Sequence, residues 1–254
     1  MSSELQYHIM LSKEHGAKYA ILPGDPGRVP KIAEYLDNAV QVGFNREYNS
    51  YLGTLNGERV LVVSTGIGAP SAAICVEELA KIGVDTFLRV GTCGGMQEFV
   101  EPGDVVIATG AVRMDGTSKE YMPIEFPAVA DFDVTAALKF AAVSMGYRHH
   151  LGVVQAKDSF YGQHSPESMP NSQELLSKWK AWKMGGCLAS EMESSALFIV
   201  SSVRKLRAGA VFHCVWNQET AGSAMPESRK HDTSCAIKTA VEALKILIEQ
   251  DKSR

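Results

Sequence analysis

Short apolar runs alternate along the chain with stretches in which apolar residues recur every three or four positions. The runs predict strands over residues 19–22, 60–64, 86–90, 105–111, 151–157 and 208–216. The periodic stretches predict helices over 28–36, 70–82, 131–145, 173–184, 191–206 and 228–248. Pro30 falls in the opening turn of the first helix, where a missing N–H costs little. In the last, Ile237, Val241, Leu244 and Ile248 recur at helical spacing between charges, the pattern of a packing stripe. Asn56-Gly57 separates residues 51–55 from 59–64 and predicts a tight hairpin, because both tolerate positive φ.

This alternation predicts an α/β fold. We expect a single domain over 1–254, built as a three-layer αβα sandwich with a mixed central β-sheet. No repeat or linker-like tract interrupts it. Residues 114–130, with Pro123 and Pro127, read as an ordered surface loop. Residues 162–171, with Pro166 and Pro170, read as a second loop long enough to act as a lid.

At 254 residues, 45% hydrophobic and 21% charged, the chain has material for a substantial core. A net charge of −4 removes any global basic field that would draw nucleic acid or anionic membranes. An anionic ligand must therefore be caught by local arginines. The first ten residues lack a signal-peptide pattern, and no apolar run approaches the ~20 residues of a membrane span. The five cysteines are odd in number, scattered and without a CxxC, so they read as reduced thiols in a cytoplasmic protein. His149-His150 is a weak metal signal by itself.

Candidate chemistry collects at strand ends. Residues 86–95, TFLRVGTCGG, put Arg89 in an apolar strand and follow it with a Gly/Thr-rich turn. A buried charge is costly unless something binds it. Arg89 and Thr92 thus read as two walls of an anion pocket at the carboxyl end of a strand. The alternative is a strand-end arginine beside an ordinary turn. Gly24 and Arg28 lie in PGDPGR between the first strand and the first helix, where glycine lets backbone approach a ligand; a plain tight turn reads the same way. Arg46 says little alone. STGIGAPS, residues 64–71, is another glycine-rich turn. In SEMES, residues 190–194, the two carboxylates are either helix-dipole partners or, facing a cleft, acceptors for sugar hydroxyls.

Together and in this order, PGDPGRV, STGIGAPS, FLRVGTCGG, PIEFPAVADF and SEMESSAL resemble the nucleoside phosphorylase-I superfamily, nearest its uridine phosphorylase branch. The resemblance spans residues 19 to about 248. It implies a pentosyltransferase that splits uridine with inorganic phosphate, reversibly, into uracil and ribose 1-phosphate. By match to the family's motifs, phosphate meets Gly24, Arg28, Arg89 and Thr92, with Arg46 entering from a neighbouring subunit. The ribose meets Thr92, Met192 and Glu193, and the neighbour's His8. The family pattern implies homohexamers arranged as trimers of dimers. It calls for no catalytic metal, although some members hold a monovalent cation, such as K+, through the equivalents of Glu47, Ile67 and Ser71.

The base subsite departs from the pattern. Purine-specific relatives place an aspartate after the late strand, whereas residues 215–218 read VWNQ. Phe160 fits the base-stacking aromatic and Gln163 the amide that reads the uracil edge. Two arginines expected in that subsite are Ser165 and Gln218 here, and a usual hydroxyl position is Cys93. Lys157 and His164, flanking Phe160, are the candidate replacements for the missing donor; the plain readings are a solvated lysine and an exposed loop histidine. Purine nucleoside phosphorylase, a same-fold nucleoside hydrolase and a non-catalytic nucleoside-binding protein remain as alternative readings.

Overall fold

A computed structural model describes residues 4–221 and 232–253. Its strands are β1 (Tyr19–Pro23), β2 (Asp37–Asn45), β3 (Tyr48–Leu55), β4 (Glu58–Val63), β5 (Thr86–Gly95), β6 (Val105–Met114), β7 (Ala128–Val129), β8 (His149–Lys157), β9 (Ala189–Glu191) and β10 (Arg207–Asn217). Its helices are α1 (Arg28–Ala33), α2 (Ala69–Lys81), α3 (Thr117–Tyr121), α4 (Phe132–Ser144), α5 (Phe160–His164), α6 (Ser172–Met184), α7 (Ser194–Arg204), α8 (Gln218–Ala221) and α9 (Ser234–Lys252). Every strand read from the apolar runs is present. The start of the last expected helix, residues 228–231, lies outside the described residues, and α9 continues to Lys252. The predicted hairpin is the β3–β4 connection, with Asn56 at φ 48° and Gly57 at φ 81°.

The mixed α/β class holds, but the layering differs from the expected sandwich. β10 pairs in parallel with β5 along its whole length and antiparallel with β6. β6 then pairs with β8, β8 with β9, and β9 returns antiparallel to β5 through Gly94↔Ser190 and Gly95↔Ala189. These five strands close on themselves, and β1, β4, β3 and β2 continue from β5 as an open arm. Register shifts between Cys214 and Trp216 in β10 and between Ala108 and Gly110 in β6 supply the bends that closure needs. A three-layer sandwich around one central sheet does not describe the closed half of the sheet, which carries the chemistry.

Alternation along the strands feeds two cores. Ala20, Leu22, Phe87 and Phe212 pack with residues of α2 and α7. Tyr19, Ile21, Leu88 and Val211 point the other way, to α1, α4 and α9. The segment read as an ordered surface loop contains α3 and β7, and Arg113 organises it. Its Nη1 donates to Pro123 O and Phe126 O at 2.5 Å each, and its Nη2 to Ser118 O and Met122 O at 2.7 Å each. Among the described residues no helix is long and apolar enough to cross a membrane.

Candidate active site

The ends of β1, β4 and β5 and the start of α7 converge on one cavity of about 450 Å³. Gly24 follows β1 at its floor. A Cβ there would stand 3.2 Å from Gly66 O and 4.0 Å from Arg89 Nη1, so a bare backbone lets the two glycine turns and the guanidinium meet. Asp25 steadies the turn by accepting the Gly27 N–H at 2.8 Å. Arg28 lines the same floor. Burial lowers its pKa, with Asp25 acting the other way. An arginine so placed keeps its charge.

Arg89 is 5% exposed and lies between two carboxylates. Nη2 donates to Glu193 Oε2, and Nε stands 3.4 Å from Glu191 Oε2. Nε and Nη1 have no hydrogen-bond partner among the described residues. Buried donors are seldom left unmet. A guanidinium with unmet donors beside a cavity is the arrangement expected of an anion-binding arginine. Gly91 permits it, because a Cβ there would sit 2.7 Å from Phe212 Cδ1 and 3.2 Å from Arg89 Nη2.

The SEMES segment does not form the first turn of the helix expected over 191–206; α7 begins at Ser194. Glu191 ends β9, and its carboxylate accepts the N–H groups of Glu193 and Ser194, both at 2.9 Å, capping α7. Burial raises its pKa, opposed by Arg89. Glu193 Oε1 accepts the Gly68 N–H at 2.6 Å, so its carboxylate joins the 64–71 turn to Arg89. Met192 and Thr92 line the cavity beside it.

The opposite end is aromatic. The Phe160 and His164 rings lie 4.3 Å apart, and His164 stands 5.4 Å from Trp216. Lys157, 4% exposed, donates from Nζ to Ser190 Oγ at 2.6 Å and stands 6.0 Å from the Phe160 ring centre. Burial pulls its pKa down to about 8, against the pull of Glu191 and Glu193. Gln163 meets Ser190 Oγ at 2.6 Å and donates to Gln218 at 3.1 Å. Cys93 also lines the cavity, and burial pushes its thiol well up, which disfavours a nucleophilic thiolate.

Gly24, Arg28, Arg89, Thr92, Lys157, Phe160, Gln163, His164, Met192 and Glu193 therefore share one cavity. Four residues do not line it. His8 Nδ1 meets Glu78 Oε1 at 2.6 Å, and Arg46 is exposed in the β2–β3 turn at φ 53°. Glu47 accepts from Ser71 Oγ at 2.5 Å, and neither lines the cavity, whereas Ile67, 79% exposed, does. Glu191, Ser190 and Trp216 line the cavity and drew no assignment from sequence. Glu191 carried a signal in its paired carboxylates; Ser190 and Trp216 carried none, because their neighbours come from β8 and α5.

The family model of the phosphorylase superfamily matches residues 18–249. The chain belongs to this superfamily. It is similar to a protein of Treponema pallidum named uridine phosphorylase, 56% identical over 100% of this chain and 98% of its own length. The uridine phosphorylase of Klebsiella aerogenes is 43% identical over 98% of this chain and 100% of its own. A protein of Halorubrum lacusprofundi named guanosine phosphorylase is 39% identical over 95% of this chain and 99% of its own.

Proposed function

We propose that the protein is a uridine phosphorylase, a pentosyltransferase for uridine and inorganic phosphate in pyrimidine nucleoside salvage. The observation that carries this is Arg89, with two unmet buried donors beside Arg28 at one end of a cavity whose other end is aromatic. Arginine forks match the geometry of phosphate and stay charged. Glu193, fixed by Arg89 and Gly68, keeps lone pairs for the ribose hydroxyls, and Met192 supplies an apolar face to the sugar. Phe160 offers a stacking surface for a planar base.

The reaction follows from this layout. A phosphate oxygen attacks C1′ while the bond from C1′ to N1 breaks, and the sugar passes through an oxocarbenium-like state. The arginines hold the dianion against the developing cation. Alignment of nucleophile and leaving group supplies much of the rate. Gln163 reads the base edge, with Lys157 and His164 as candidate donors to it. The missing acid at residues 215–218 favours a pyrimidine. The 39% identical relative named guanosine phosphorylase is the specific reason to test purines as well.

His8 and Arg46 reach the site in this reading from a second subunit of a homohexamer built as a trimer of dimers. Neither lines the cavity of its own chain, and that is what supports it. Glu47, Ile67 and Ser71 present carboxylate, carbonyl and hydroxyl oxygens, a donor set that suits a hard cation such as K+. The Ser71 hydrogen bond lowers the Glu47 pKa and keeps that carboxylate charged. Such a cation would steady the turn next to Gly66; no step passes through it. The five free cysteines support a reducing, cytoplasmic compartment.

The test is release of free base from uridine, deoxyuridine, thymidine, inosine and guanosine, with and without phosphate. Phosphate-dependent cleavage with uridine preferred is expected. Cleavage without phosphate would make it a hydrolase, preference for guanosine a purine phosphorylase, and no cleavage a binding protein.

A further inference from the structure

We propose that Lys157 is the catalytic group that takes up the negative charge of the departing base, and that Ser190 is the residue that positions it. The inference rests on the uridine phosphorylase reading and assigns the one step which that reading leaves open.

Lys157 closes β8 at the aromatic end of the cavity. An ammonium has three N–H bonds. Ser190 Oγ accepts one at 2.6 Å, which leaves donors for a ligand lying on Phe160. Ser190 is itself fixed, with Gln163 Oε1 at 2.6 Å and Gln155 Oε1 also against its hydroxyl. Lysine, serine and the edge-reading amide thus form one cluster at the end where a base stacks. The register Ala156↔Glu191 sets the end of β8 beside Glu191. The charged or titratable groups facing the ammonium are Glu191 from β9, Glu193 from the head of α7 and Cys93 from β5. Both carboxylates favour the charged form, and even with its pKa drawn down to about 8 the lysine is an ammonium at neutral pH. His164 has a different place. Its ring packs on Phe160 and stands near Trp216, as a wall against which a planar base can lie.

As the C1′–N1 bond breaks, its electron pair passes to the base and delocalises onto the carbonyl oxygens. The Lys157 ammonium donates to one of those oxygens. A phosphate oxygen forms the new bond to C1′. Hydrogen phosphate loses its proton on becoming the ester dianion and the base gains one, so charge and protons balance without a further reactant.

The experiment compares Lys157→Met, Lys157→Arg and Ser190→Ala with the parent on two substrates. Uridine is the first, and 5-fluorouridine, whose base is the more stable anion, is the second. Cleavage of uridine by the parent tests the reading beneath; the ratio of variant to parent tests this inference. For Lys157→Met we expect kcat on uridine to fall about 100-fold and on 5-fluorouridine only about tenfold. The KM for phosphate should stay within about twofold. The parent's kcat should decline above about pH 8, where the ammonium is lost, and in Lys157→Arg that decline should move to higher pH. Ser190→Ala should lower kcat on uridine more than it raises KM. Equal losses on the two substrates, or uridine turnover within about twofold of the parent, would overturn the assignment. Should Lys157→Met fail to fold, the alkaline decline in the parent and its displacement in Lys157→Arg decide the question; a decline unmoved in that variant would overturn it.

Discussion

Glu193 Oε1 accepts the Gly68 backbone N–H at 2.6 Å while its Oε2 holds Arg89, so one carboxylate ties the turn before α2 to the strand that bears the anion site. Removing it leaves a buried guanidinium without its closest counter-charge. Glu193→Ala should lower the free energy of unfolding by about 3–5 kcal/mol, read by urea denaturation. Millimolar phosphate should recover part of that loss, because the dianion binds only the folded site and replaces the missing charge. Failure of phosphate to stabilise the variant would count against an anion site at Arg89.

Arg89→Lys retains a charge but not the fork. Lysine is a point charge on a flexible stem and cannot present paired donors. We expect kcat/KM for phosphate to fall about 100-fold, with a much smaller change in affinity for uridine measured by calorimetry. An equal loss for both ligands would indicate general damage to the cavity.

Gly91 is constrained by what surrounds it. A methyl group there would meet the Phe212 ring edge at 2.7 Å and crowd Arg89 Nη2 at 3.2 Å. Gly91→Ala should cost about 1–3 kcal/mol of stability by overpacking. It should also raise the KM for phosphate, because the guanidinium is the movable neighbour. A variant as stable and active as the parent would show that the cavity wall is softer than its geometry implies.

Much of this was readable in the chain because local signals and tertiary structure agree there. Asn56-Gly57 makes the hairpin that its φ tolerance demands, and the apolar runs became strands. β2 escaped notice because DNAVQVGFN is largely exposed along its length and has no clean alternation to betray it. Closure of the sheet could not be read either, since β10 pairs with β5 across more than a hundred residues and local pattern holds no record of that. In the site, Arg89 announced itself as a charge in an apolar strand. Ser190 and Trp216 did not, because an ordinary serine and a buried aromatic acquire meaning only from Lys157, Gln163 and His164 beside them.

Arg46 is exposed at φ 53° in the β2–β3 turn and does not line its own chain's cavity. If it completes the site of a neighbour, two inactive variants should complement one another. Arg46→Ala lacks the donated residue and Arg89→Met lacks the resident one. In a mixed dimer one site carries both defects and the other carries neither. Mixing the two variants under conditions that allow subunit exchange should therefore restore phosphorolysis, well above the sum of the separate activities. No recovery in mixtures shown by mass spectrometry to contain mixed dimers would place Arg46 outside the site.

Asn217 ends β10 within residues 215–218, the stretch in which the family resemblance leads one to look for a purine-reading acid, and this invites a change of specificity by Asn217→Asp. The surroundings oppose it. Asn217 is fully buried, and its Nδ2 donates to Gln97 O at 2.8 Å and Val100 O at 2.7 Å. Its Oδ1 accepts the Glu219 N–H at 2.9 Å. Aspartate would face two carbonyl oxygens with a carboxylate that has nothing to donate, and the residue does not line the cavity. The expected result is a loss of about 3 kcal/mol in unfolding free energy at neutral pH, with no gain of phosphorolysis on guanosine or inosine. Burial, with one carboxyl oxygen set against two carbonyls and only the Glu219 N–H donating to the other, raises the folded-state pKa of the new carboxyl, so the folded form binds the extra proton and the loss should shrink as pH falls toward the unfolded value. Guanosine cleavage by a stable Asn217→Asp variant would mean that this strand end can swing into the base subsite, and that its hydrogen bonds to 97 and 100 do not hold it out.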